Sequence, residues 1–157
     1  MDIEKGDLIQ LAIQQLESEV ASLRKGVESE KKAEQDAPTA RDSWSDTTRS
    51  QKGGLIEALQ KQYNQAHKVL TSLKQLQVKD KQAVSIGALV EIEENKVKSF
   101  CLIVAGTTTK LELGDEIVHL ISAASPVARA LSGHTTGEIV EIKVPAGIWT
   151  LKILGVQ

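Results

Sequence analysis

At 157 residues the chain has room for one ordinary domain, or for a small domain carrying an extended element. Its 19 basic and 21 acidic side chains balance, which excludes a gross nucleic-acid footprint, and a single cysteine excludes an intrachain disulfide. No apolar run approaches the roughly 20 residues that span a bilayer, and the opening MDIEKGDLIQ lacks the basic-then-apolar plan of a signal peptide, so a cytoplasmic protein is the expectation.

Charge is distributed unevenly in kind. Residues 1–82 carry 13 basic and 13 acidic side chains, whereas residues 83–157 carry 6 and 8 and are rich in Val, Ile and Leu. The first part suits a solvated helical element and the second a compact core. Aromatic residues are few (Trp44, Tyr63, Phe100, Trp149), so that core is aliphatic.

From Ile9 the apolar positions run Ile9, Ile13, Leu16, Val20, Leu23, Val27; later they run Ile56, Leu59, Tyr63, Ala66, Leu70, Leu73. Alternating steps of three and four mark heptad seams one stripe wide. Neither stripe can be buried alone, and the spacing predicts that the two helices fold back on each other as an antiparallel hairpin over residues 1–80. A first helix reaching about Gln35 makes an arm about 40 Å long at 1.5 Å per residue. Two helices lying on a globular core are the alternative, and they would show a broader apolar face.

Between the seams lies DAPTARDSWSDTTRSQKGG, residues 36–54, with Trp44 among Asp, Arg, Ser and Thr. Pro38 disfavours helix at Ala37, and Gly53-Gly54 costs roughly 1 kcal/mol per glycine in a helix. A tip less rigid than its shaft is expected there. Trp44 either packs on the hairpin end or meets a partner.

At Val84 the period changes. IGALVEIEEN, VKSFCLIVAG, EIVHLIS, EIVEIKV and IWTLKILGV read as strands, with Pro145 and Gly147 turning the last pair. Five strands and one short helix give a small antiparallel-sheet domain over residues 84–157, so the fold class is α+β. In the segment ISAASPVARALSGHTTGEIVEI, Ser125 suits an N-cap, Pro126 the first helical position, and Gly133 a left-handed stop.

That last segment, with its Ser-Pro-Val-Ala-Arg-Ala-Leu helix followed by GEIVEI, resembles the C-terminal domain of the bacterial Gre transcript-cleavage factors, GreA and GreB. The order of parts, helical hairpin and then sheet, agrees. The resemblance implies an FKBP-like domain that docks on RNA polymerase at the rim of its secondary channel, with the arm entering the channel. Ser125, Pro126 and Arg129 would belong to the docking surface. Cleavage-competent members carry at the tip an Asp and, three positions later, a Glu, which help to hold the polymerase active-site magnesium.

Here Asp46 falls on the Asp, but Arg49 stands where the Glu should be. An arginine repels a cation and pairs with phosphate oxygens instead. Asp42 is the other acid within reach of a metal role. Asp46 has three open roles: a metal contact, an N-cap for the second helix, or a salt bridge to Arg41 or Arg49. The expectation is therefore a monomeric accessory factor that occupies the channel, without an active site or cofactor of its own and with cleavage stimulation in doubt. A structural coiled-coil protein and an FKBP-like prolyl isomerase are the alternatives, the second disfavoured because Phe100 and Trp149 are the sheet region's two aromatics. His67, His119 and His134 are too scattered for a metal site. Cys101 reads as a buried small hydrophobe, and GTTTKLELG lacks a phosphate-loop lysine.

Overall fold

The computed structural model describes residues 4–36, 45–106 and 108–157; the side chains of residues 34, 36 and 45–52 lie outside that description. Two long helices come first, α1 (Lys5–Asp36) and α2 (Ser45–Gln75). They run antiparallel. Lys74 meets Glu17 at 2.6 Å near the base, and further along α1 a side chain at Gly26 would touch Leu59 of α2 at 3.9 Å. The expected seam is present, with Ile9, Leu16, Val27, Leu70 and Leu73 buried. Helix α2 continues unbroken through Gly53 and Gly54. Residues 45–54, expected in the tip, therefore have helical backbone, the glycine cost being absorbed by a 31-residue helix.

Six strands follow: β1 (Leu89–Glu94), β2 (Val97–Val104), β3 (Thr109–Leu113), β4 (Glu116–Ser122), β5 (Ile139–Val144) and β6 (Gly147–Val156), with α3 (Pro126–Leu131) between β4 and β5. They form one sheet in the order β3-β4-β2-β1-β6-β5. All its pairings are antiparallel except β2 with β4. The sequence reading counted five strands and missed β3. Its segment TKLEL does alternate polar and apolar, with Leu111 buried, but five residues between turns give a weak period-two signal. The β1–β2 connection is a two-residue turn at Asn95 and Lys96. Both have positive φ, 51° and 67°, as a two-residue type I′ hairpin requires.

The sheet is apolar on both faces, and period-two alternation divides its side chains between two cores. Leu102 and Val104 of β2 face one cluster with Leu89, Leu111, Val118 and Leu120. Cys101 and Ile103 face the other, which α3 closes with Ala128 and Leu131. The first cluster is completed by the hairpin: Leu8, Ile9, Ala12 and Leu16 of α1, and Val69, Leu70 and Leu73 of α2. The two readings of the helices thus each hold for part of their length. Near the base the apolar face broadens, because Leu8, Ala12 and Val69 join the seam and the hairpin forms a layer on the sheet. Towards the far end Val27 is buried and α1 faces half-buried Leu59 of α2 at Gly26, so the packing there is helix on helix.

Directional contacts accompany this layer. Gln15 donates to the Glu112 carbonyl at 3.1 Å, and the Ala105 N–H donates to the Ser72 hydroxyl at 3.3 Å. The Lys5 ammonium donates to the carbonyl oxygens of Lys79 and Gln157. None of the helices among the described residues is long and apolar enough to cross a membrane.

Candidate functional site

The segment that carried the resemblance builds a short capped helix. Strand β4 ends at Ser122, and the chain turns back with the Ser125 N–H donating to the Ser122 carbonyl at 2.9 Å. Ser125 is the N-cap: its backbone is extended and its hydroxyl accepts from the Ala128 N–H at 3.1 Å. Such a cap contributes about 1 kcal/mol. Pro126 occupies the first helical position, where a missing N–H costs nothing. Beyond the C-cap at Ser132, Gly133 adopts φ +82° and its N–H donates to the Val84 carbonyl at 2.9 Å, stitching the helix end to the start of the sheet domain.

The helix is amphipathic over its six residues. Ala128 and Leu131 are buried on the sheet, while Pro126 and Arg129 are exposed and Ser125 is half-exposed. The three candidate docking residues therefore sit within one turn of chain, on or beside its outer side. Physical chemistry already assigns Ser125 and Pro126 to the helix start; Arg129 has no such structural assignment.

The other half of the expected site is the far end of the arm. Asp42 and Trp44 lie outside the described residues. Asp46 and Arg49 fall three positions apart in the backbone of α2, with their side chains outside the description. Within α2 as described from Ser45 onward, Asp46 has helical backbone. Along the described shaft polar pairs share the surface with exposed Leu11 and Leu55. Arg24 pairs with Glu28 at 3.2 Å, Gln60 donates to Asn64 at 3.2 Å, and Tyr63 stacks on His67 with centroids 5.7 Å apart. Exposed pairs of this kind are worth a few tenths of a kcal/mol each and serve mainly to keep the arm solvated and helical.

The remaining chemistry-bearing residues have structural employment. Cys101 is buried, and burial pushes its thiol up to about 12, which suppresses nucleophilicity. His119 lies in β4, its pKa lowered by burial and by Lys110, its direct neighbour on β3. His134 approaches Glu138 at 3.0 Å in the turn before β5. Among the described residues no three His, Cys, Asp or Glu side chains cluster as metal ligands. Phe100 packs with the hairpin-side core, whereas Trp149 pairs across strands with Ile142 of the opposite one, so the sheet's two aromatics line no common pocket. Sequence reasoning passed over two residues at the arm–sheet junction, Lys5 and Gly106. A lysine in an ordinary charged helix start and a glycine after a strand carry no local signal of their later contacts.

Comparison with known proteins bears on the sheet domain. The family model of the transcription elongation factor GreA/GreB C-terminal domain matches residues 79–157. Transcription elongation factor GreA 2 of Lactiplantibacillus plantarum is 36% identical over 81 residues, covering 50% of this chain and 47% of that one. GreA of Neorickettsia sennetsu is 38% identical over 76 residues, with 47% and 45% covered. The chain thus spans about half the length of the curated relatives it matches. Among solved structures, GreA factor homolog 1 (Gfh1) of Thermus thermophilus aligns over 92% of this chain and 94% of its own, at 17% identity and a TM-score of 0.38. On the match that fills its second half, the chain belongs to the GreA/GreB family of transcription elongation factors.

Proposed function

We propose that this protein binds bacterial RNA polymerase as a monomeric accessory factor, its sheet domain docking at the rim of the secondary channel and its helical arm entering the channel. It modulates elongation by occupancy and is a poor stimulator of transcript cleavage. Family membership supports the partner, and a long two-helix arm seated on the matched domain supports the mode of action. The observation that carries the weaker cleavage is the pair Asp46 and Arg49, three residues apart in α2. Holding a divalent cation with coordination positions left for water and phosphate calls for paired carboxylates; here the second position carries a positive charge. Any metal contact through Asp46, with or without Asp42, would be to the polymerase's magnesium, and Arg49 would weaken it.

Docking is assigned to the outer side of α3, at Ser125, Pro126 and Arg129. Trp44, Asp46 and Arg49 are the residues assigned to the channel interior. The test uses stalled elongation complexes with wild type, Asp46→Ala and Arg49→Glu. Wild type should bind but release little cleaved RNA, and Arg49→Glu should gain cleavage. Strong cleavage by wild type that Asp46→Ala abolishes would overturn the occupancy reading. Failure of the wild-type chain to associate with core polymerase would overturn the function altogether.

A further inference from the structure

Lys5, at the start of α1, is the charged side chain that is buried among the described residues, at 4% exposure. Its ammonium donates to the carbonyl oxygen of Lys79 at 2.7 Å and to that of Gln157 at 3.1 Å. The first acceptor lies in the connection from α2 to β1, and the second directly follows β6. Gln157 is itself fixed to the first residue of β1: its carbonyl accepts from the Leu89 N–H at 2.9 Å, and its N–H donates to the Leu89 carbonyl at 2.8 Å. One head group therefore ties the arm, its connector and the middle of the sheet together.

Stability is a poor explanation for a lysine in this place. The ammonium's pKa is lowered by burial and by nearby Lys81, with Asp80 acting the other way. Replacing a buried charge with an apolar chain of similar volume is often neutral or stabilising. Direction is the better explanation. The rest of the contact between arm and sheet is a layer of aliphatic side chains. Burial of that kind is non-directional, and aliphatic packing loses uniqueness before it loses stability. The hydrogen bonds from Gln15 and to Ser72 are directional, but both are exposed and compete with water.

We infer that Lys5 is the positioning residue of the arm, fixing the angle at which the hairpin leaves the sheet. The lever is long. From Val20 to Asp36 the helix rises about 24 Å, so a tilt of about 10° at the base carries its end about 4 Å. The importance of that angle rests on the proposed function, because a probe entering a channel needs a set direction. The geometry itself can be tested without the polymerase.

Nitroxide labels at introduced cysteines, one replacing Lys25 on α1 and one replacing Lys143 on β5, report the angle by double electron–electron resonance in the full chain; buried Cys101 remains unlabelled. Lys5→Met should broaden the distance distribution or shift it by several ångströms at unchanged helix content. Lys5→Arg, which keeps a donor for each carbonyl, should restore the narrow distribution. A Lys5→Met distribution matching wild type overturns the inference, and so does a broadening that Lys5→Arg reproduces in full. Should Lys5→Met not fold, Lys5→Gln, too short to reach both carbonyls, takes its place with the same two readings. Loss of polymerase binding alone would leave these distances unchanged, so the two proposals fail separately.

Discussion

Gly106 offers a direct probe of how the arm is seated. It lies in the β2–β3 connection with φ +132°, and a Cβ placed there would stand 2.8 Å from Cγ2 of Val69 and 3.4 Å from its Cα. Alanine at this position meets two costs. A backbone conformation that L residues avoid costs about 1–3 kcal/mol. The contact adds about 1–3 kcal/mol of overpacking, because Val69, 2% exposed within the hairpin-side core, cannot swing clear. The loss should total about 3 kcal/mol, or about 6–12 °C in Tm for a chain of this length. Val69→Ala alone should cost about 2 kcal/mol through its lost methyl groups. In the double variant the obstruction is gone, so the combined loss should fall about 1–2 kcal/mol short of the sum. Urea and thermal melts of the four proteins, followed by circular dichroism, give this cycle. Strict additivity, or a Gly106→Ala loss below about 0.5 kcal/mol, which is the range of an ordinary surface substitution, would refute the packing of the arm's base on the sheet.

Two further outcomes follow from the site chemistry. Cys101, 2% exposed and with its thiol pushed up to about 12, should resist a thiol reagent at neutral pH in the native state and react only as the chain unfolds; labelling within minutes under native conditions would contradict the core assignment. The Glu138 carboxylate accepts from the Thr135 N–H at 2.6 Å and lies 3.0 Å from His134, and these bonds, the Thr135 N–H first, hold its pKa below the ordinary value near 4.5. A carboxylate depressed in the fold stabilises it above the unfolded pKa and loses that contribution as pH falls through the folded one. The stability gap between wild type and Glu138→Gln should therefore be widest above about pH 4.5 and close below it; a gap independent of pH would count against the bond.

The arm was legible because heptad spacing is a long-range regularity: six positions in each helix keep the alternation of three and four, and the fold-back of one on the other follows from burying two matching stripes. What the period could not disclose was its own end. Leu8, Ala12 and Val69 lie off the heptad, and they acquire their burial from a sheet more than a dozen residues away in sequence. Strand β2 was plain in VKSFCLIV, a run apolar on both faces, whereas TKLEL of β3 is too short for its alternation to stand out. At α3 the cap, the proline and the terminal glycine could each be read locally, since capping is settled within a few residues. The roles of Lys5 and Gly106 were illegible for the opposite reason. Their partners, Lys79, Gln157 and Val69, are distant in sequence, and nothing local marks either position.

The claim on which the functional account depends is that the arm enters the polymerase. A photo-crosslinking side chain placed at Glu57, which is exposed on α2 towards the far end of the hairpin, tests it in a complex with core enzyme. Adducts on residues lining the secondary channel are the predicted result. A complex that forms but yields adducts only on the outer surface of the polymerase would contradict it.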